Sequence, residues 1–289
     1  MSLALDIVAR VRNGGGRAGH AWRAPGLVAP LAFVLLLVAA AAVPHWFTAL
    51  APDAVDTDAI LLPPGLAHWF GTDQLGRDVF TRVIHGTSQS LGIGLGATLI
   101  GCAGGVLLGT AAGLTPPFLQ RLFVRLIDIL LAFPEILLAL LIIAVLGRGP
   151  TNTLLAVGLS SIAGYARLVR SQVLRVWQSG YVEHAVSLGE ATPAIIARHV
   201  VPNAIRPLVV LATIGVGNAV LSASALSFIG LGVVSPAAEW GALLADGRNF
   251  LDTAPWISFL PATVVAASVI AITILGRRLQ LLLSQGGQP

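Results

Sequence analysis

Six apolar runs divide this chain, near positions 27–43, 90–113, 126–146, 153–172, 207–232 and 257–276. Each approaches or exceeds the roughly 20 helical residues needed to cross a hydrocarbon core of about 30 Å. At such lengths the backbone satisfies its own polar groups in lipid only as a helix. The expected fold is therefore all-α, a polytopic membrane protein with six transmembrane helices. Overall balance agrees, since 56% of the 289 residues are hydrophobic and 10% charged, far from the usage of a soluble domain. The first run follows four arginines and could be read as a signal-peptide core, but it is longer than one, and the later spans would hold the chain in the membrane regardless.

All seventeen basic residues are arginine, and they are scattered rather than gathered into a stripe that would suit nucleic acid. Their placement instead sets topology, because positively charged loops stay cytosolic. With the N-terminus inside, the inner segments hold Arg10, Arg12, Arg17 and Arg23, then Arg121 and Arg125, then Arg167, Arg170, Arg175, Arg198 and Arg206, then Arg277 and Arg278. Asp6, Glu183 and Glu190 offset them only in part, whereas the outer loops are acidic on balance. Both termini are expected in the cytosol of a bacterial plasma membrane. The lack of lysine has a second consequence: a P-loop uses Lys on the nucleotide phosphates, so this chain is not a Walker-type ATPase. Any ATP-driven work belongs to a partner.

One polar, helix-forming insert on the inner side, Tyr181 to Pro202, has the composition of a docking surface. A short helix carrying Ala185 and Val186 would present a low-relief apolar face, Gly189 would permit a turn, and Pro193 and Pro202 would bracket a second short helix. An amphipathic helix lying on the membrane is the plainer alternative. On the outer side, His68 to Gly86 reads as a Gly turn and an interfacial helix, with Asp78 and Arg82 at the favourable four-residue spacing. Glu239 to Trp256 forms a second outer block, in which Trp240 and Trp256 are natural interface anchors. Gly101, Gly105, Gly109 and Gly113 recur every four residues and predict a smooth face for close helix packing.

Glu183, His184, Ala185, three residues, Gly189, twelve residues and Pro202 resemble the loop by which ABC-importer permeases engage their ATPase. Gly71, Thr72, Asp73, Gly76, Arg77 and Asp78 resemble the Gly-Thr-Asp, two residues, Gly-Arg-Asp signature of the C-type subunits of dipeptide, oligopeptide and nickel permeases, and the block at Glu239 and Trp240 resembles their outer loop. Two departures stand out: His184 replaces the second Ala of the docking motif, and LGRRLQ at 275–280 replaces a more acidic ending.

The resemblance covers roughly 27–276 and implies a type I ABC importer permease fold. It implies a homologous B-type permease, two ATPase domains holding ATP and Mg, and an extracytoplasmic binding protein as partners, with no cofactor on this chain. The organisation expected is a cytosolic tail over 1–26, a permease domain over 27–276 and a cytosolic tail over 277–289. Within the domain, 44–89 is an outer segment, 177–206 the ATPase-coupling segment and 233–256 an outer loop. The outer signature is a structural element or a binding-protein contact. Cargo would be a dipeptide or oligopeptide, with nickel or haem-type cargo as alternatives in the same family.

Asp128 and Glu135 are seven apart in the third run, which predicts a shared helix face above a kink at Pro134. Acids at membrane depth mark pathways by default, and Glu135 is the stronger candidate because Asp128 lies near the cytosolic end. The six histidines show no metal-ligand spacing, and no hydrolase arrangement is present, so neither a metal site nor an enzyme is expected. A proton-coupled secondary transporter using Glu135, or a membrane scaffold, are the rival classes; the first would show inverted repeats.

Overall fold

The computed structural model describes residues 25–285, with side chains from 27 to 281. The expected tail at 1–26 thus lies outside the described residues except for Pro25 and Gly26, as do residues 286–289. The described chain is all-helical: α1 (Pro25–Ala42), α2 (Val79–Leu114), α3 (Pro117–Leu131), α4 (Glu135–Leu146), α5 (Pro150–Trp177), α6 (Gly180–Ser187), α7 (Thr192–Ile195), α8 (Val201–Phe228), α9 (Trp240–Gly247) and α10 (Trp256–Gln285). Three stretches, Val79–Leu114, Thr192–Phe228 and Trp256–Leu281, are long and apolar enough to cross a membrane by themselves, and α3 with α4 makes a fourth if the bent pair is one span.

Several boundaries differ from the sequence expectation, each for a local reason. The second helix starts at Val79 rather than near 90, so the expected interfacial helix is simply the first turns of α2. Asp78 caps it, its carboxylate accepting from the Thr81 amide at 2.7 Å and from His68 Nδ1 at 2.9 Å. It therefore does not form the expected pair with Arg82. The third apolar run forms two helices meeting at 93° rather than one kinked helix. Pro134, at φ −56° and ψ 132°, has no amide to donate and steers Phe133 away from helical geometry. Asp128 belongs to α3 and Glu135 opens α4, so they share no helix face. At the far end, α10 continues through Arg277 and Arg278 to Gln285, where a tail was expected.

At the centre, α5 packs on α2, α4 and α8. Its enclosed side is Ala156, Val157, Gly158, Ser160, Ala163 and Ala166, small residues that let neighbouring backbones close in. The glycine ladder of α2 faces it as expected. A Cβ at Gly109 would stand 2.6 Å from the Ala166 carbonyl oxygen and 2.8 Å from Val169 Cβ, and one at Gly113 would stand 2.8 Å from Val173 Cγ1. Higher in the same stripe, Gly101 and Gly105 lie under Tyr165. Leu99, Leu107, Leu141, Val145, Leu221, Phe259 and Ile270 are exposed around this core, as suits a surface facing lipid or another membrane subunit.

Gly109→Leu should overpack the α2–α5 contact and destabilise the protein by about 1–3 kcal/mol, because backbone lies in the way. Gly92, with nothing within 4 Å of its would-be Cβ, should accept Ala without loss. Thermal unfolding of the two variants in detergent checks this; equal melting temperatures would contradict the packing.

Candidate functional site

The Gly-Thr-Asp segment is folded into a tight knot before α2. Gly71 and Gly76 have φ of +71° and +74°, the left-handed region open to glycine. A Cβ at Gly71 would meet the Trp256 ring at 2.7 Å. Asp73 holds the turn, accepting from the Leu75 amide at 2.8 Å, the Arg77 amide at 3.0 Å and Arg77 Nε at 2.6 Å. Thr72 bonds the Ala59 carbonyl and accepts from the Leu62 amide at 2.8 Å, while its own carbonyl accepts from Trp256 Nε1 at 3.2 Å.

Charge then links this knot to the segment between α8 and α10. Arg77 reaches Asp246 of α9 at 3.4 Å, and Arg82 reaches Asp73 and Asp246 at 3.5 Å each. Arg82 also donates to the Pro236 carbonyl at 3.5 Å. Two arginines and two aspartates make a neutral set, which offsets the cost of enclosing side chains such as Arg82 (1% exposed) and Asp73 (3%). Spacing points Arg82 to Asp78 instead, and nothing in the sequence marks Asp246; only the fold brings Arg82 and Asp246 together.

Glu239 is fully buried and caps α9, accepting from the Gly241 and Ala242 amides at 3.0 and 2.9 Å. Burial pushes its carboxyl above the ordinary carboxylate value, against the downward pull of those two amides and the Ser227 and Ser90 hydroxyls. Trp240, expected at a membrane interface, is instead 0% exposed. Its indole donates to the Val83 carbonyl at 3.1 Å and its amide to the Ser90 hydroxyl at 3.0 Å, fixing α9 against α2. Packing against protein outweighs the interfacial preference here.

Further along the bundle, α2, α4, α5 and α8 line a half-open cavity of about 270 Å³, its walls including Thr98, Glu135, Ser161, Tyr165 and Asn218. Tyr165 was not singled out from sequence, yet its ring covers Gly101 and its hydroxyl occupies the space where a Cβ of residue 215 would sit. Asp128 does not line this cavity; it pairs with Arg167 at 3.1 Å, both side chains more than half exposed.

At the opposite end from α9, Tyr181 to Pro202 folds as a helical hairpin. Gly189, at φ +79°, ends α6, with the Gly189 amide bonded to the Val186 carbonyl at 3.0 Å and the Glu190 amide to the Ala185 carbonyl at 3.1 Å. Pro193 stands in the first turn of α7 as expected. Pro202 does not close a second short helix: α7 passes through a widened turn, Ile196–Val200, straight into α8. Having no amide to give, Pro202 cannot continue the normal ladder, and the Val201 amide reaches back to the Ile196 carbonyl instead. Ala185, expected on an outward face, is 7% exposed and packs inward with Val182, Ile195 and Val200 on Val169 and Val173 of α5 and Ala204 and Leu208 of α8. The outward face comprises Tyr181, Glu183, His184, Val186 and Leu188, the last 87% exposed. Glu190 ties the turn to Arg198 and His199 at 3.4 and 3.2 Å.

The bundle thus carries a charged clasp at one end and a helical hairpin packed on α5 and α8 at the other. Residues 105–286 match the binding-protein-dependent transport system inner membrane component family, and the chain belongs to it. It is a multi-pass membrane permease subunit of an ABC importer, similar to other transport subunits. The di/tripeptide transport system permease protein DppC of Pseudomonas aeruginosa (strain UCBPP-PA14) is 40% identical over 257 residues, covering 87% of this chain and 85% of that protein. The glutathione transport system permease protein GsiD of Escherichia coli O157:H7 is 41% identical over 245 residues, 84% of this chain and 81% of that one. In fold the chain resembles an inward-facing structure of the MetNI methionine ABC transporter, at TM-score 0.57 and 18% identity over 70% of this chain and 96% of the other. It also resembles an amino acid ABC transporter crystallised with histidines, at TM-score 0.54 and 19% identity over 71% and 94%.

Arg77→Ala would leave the buried Asp73 carboxylate without its closest cation and should cost about 3–5 kcal/mol. Asp246→Asn, at a more exposed side chain with longer contacts, should cost less. Melting temperatures of the purified variants test the order; an Arg77→Ala protein as stable as the parent would contradict the clasp.

Proposed function

We propose that the chain is the C-type permease subunit of an ATP-driven peptide importer, pairing with a homologous B-type permease to enclose the pathway for di- or oligopeptides. Two relatives support this cargo class, one named for di/tripeptides and one for glutathione. Both cargos are built of amide-linked amino acids. Six spans are assigned as α1, α2, the α3–α4 pair, α5, the α7–α8 stretch and α10. The α5 helix qualifies despite its Ser, Thr and Arg content because neighbouring helices shield it. Arginine placement supports a topology with both termini and the hairpin in the cytosol and the clasp outside, where an extracytoplasmic binding protein would deliver cargo.

The observation that carries this reading is the way the hairpin is built. Its inward side is fused to α5 and α8 through a closed apolar cluster, while its outward side leaves Glu183, His184, Val186 and Leu188 free to enter a groove of an ATPase. Closure of two ATP-bearing domains with Mg would move that hairpin as a rigid unit and carry α5 and α8 with it, switching access to the cavity between them. Within this scheme Glu135 is the pathway residue, and Asp128, paired with Arg167, is a surface group.

Glu183→Ala and Gly189→Trp should leave membrane insertion intact and lower both cargo-stimulated ATP hydrolysis and uptake by the assembled complex. A loss of at least about fivefold is expected, the lower end of typical coupling between sites. Unchanged stimulation in both variants would sink the docking assignment.

A further inference from the structure

We infer that Glu135 receives the protonated amino group of the cargo as it passes through the cavity between α2, α4, α5 and α8. This inference rests on the peptide-cargo reading and sharpens it, by naming the chemical group recognised within the membrane.

The chemistry of the cavity wall carries the argument. Glu135 is the only acid among the lining residues, and no arginine or histidine lines it. Glu135 opens α4, is exposed on the cleft, and has no ion-pair or hydrogen-bond partner among the described residues, whereas Asp128 pairs with Arg167. On the span assignment proposed above, an acid left uncompensated within the bilayer costs about 2.5–3.5 kcal/mol on insertion scales, so a cation that arrives there is favoured.

The neighbouring hydroxyls reinforce the same polarity. Thr98 spends its proton on the Gly94 carbonyl at 2.8 Å, and Ser161 spends its own on the Gly158 carbonyl at 2.9 Å. What each can still offer is a lone pair. With the Glu135 carboxylate they line the cavity with acceptors, and the Asn218 amide can accept as well as donate, which suits a group carrying three N–H donors and one positive charge.

A metal ion fits less well. One carboxylate with neutral hydroxyls falls short of the six or more oxygens a hard divalent cation takes, and no His or Cys lines the cavity for a softer one. The space, about 270 Å³, is near the lower end of small-molecule sites, as expected if a second permease supplies the facing wall.

The test uses the complete complex in proteoliposomes: both permeases, the ATPases and the binding protein loaded to saturation with alanyl-alanine. Glu135→Gln keeps the shape and removes the charge; Glu135→Asp keeps the charge on a shorter arm. The Gln variant should import the peptide about tenfold more slowly, the loss of one charge-assisted hydrogen bond, while the Asp variant keeps most of the rate. Parental import by the Gln variant, or equal loss in both, would overturn the inference. So would import that stops when a protonophore is added with ATP maintained, since Glu135 would then carry a proton instead. If the parent complex imports no alanyl-alanine at all, the peptide-cargo reading itself fails, and the assignment of Glu135 falls with it.

Discussion

Close contact between α2 and α5 is the constraint on which the rest of the structure depends. Four glycines spaced one turn apart strip α2 of side chains along one line, and Tyr165, Ala166, Val169 and Val173 of α5 fill it. Lipid tails are as apolar as leucine, so burying hydrophobic area between helices gains little in a membrane; close packing of backbones supplies the attraction instead. Once α5 is held there, one side of it faces α4 and α8 across the Glu135 cavity, and its end projects into the Tyr181–Pro202 hairpin. A single packing line therefore positions the residues at both places.

Stiffness at the two ends has different physical origins. At the α9 end it comes from electrostatics, with Asp73, Arg77, Arg82 and Asp246 paired with one another and Glu239 capping α9. Such a cluster specifies one arrangement more than it adds stability, because each charge is costly without its partners. The hairpin end is held by apolar packing, and α7 runs through the widened turn Ile196–Val200 into α8. On the function proposed, that packing carries force from the exposed face of α6 to α5 and α8.

Much of this was legible in the sequence. Apolar length announced the helices, the four-residue glycine repeat announced a close-packing face on α2 without naming its partner, and the Glu183 to Pro202 spacing announced the hairpin. What stayed hidden depended on partners distant in the chain. Asp78 looked paired with Arg82 by spacing, but a free α2 N-terminus and His68 claim the aspartate, and Arg82 turns to acids that no periodicity connects to it. Trp240 looked interfacial because composition cannot tell a lipid headgroup region from a pocket against Val83 and Ser90. Pro134 signalled a kink, yet the size of the bend, which separates Asp128 from Glu135, depends on how α4 packs on α5.

The central claim is that the outward face of α6 is cytosolic and seats an ATPase. Leu188, 87% exposed, offers a direct probe as Leu188→Cys in a Cys102→Ala background, since Cys102 is the sole native cysteine. A membrane-impermeant maleimide should label it only when admitted to the cytosolic side, and assembly with the ATPases should protect it. Labelling from outside intact cells, or labelling unaffected by assembly, would contradict the account.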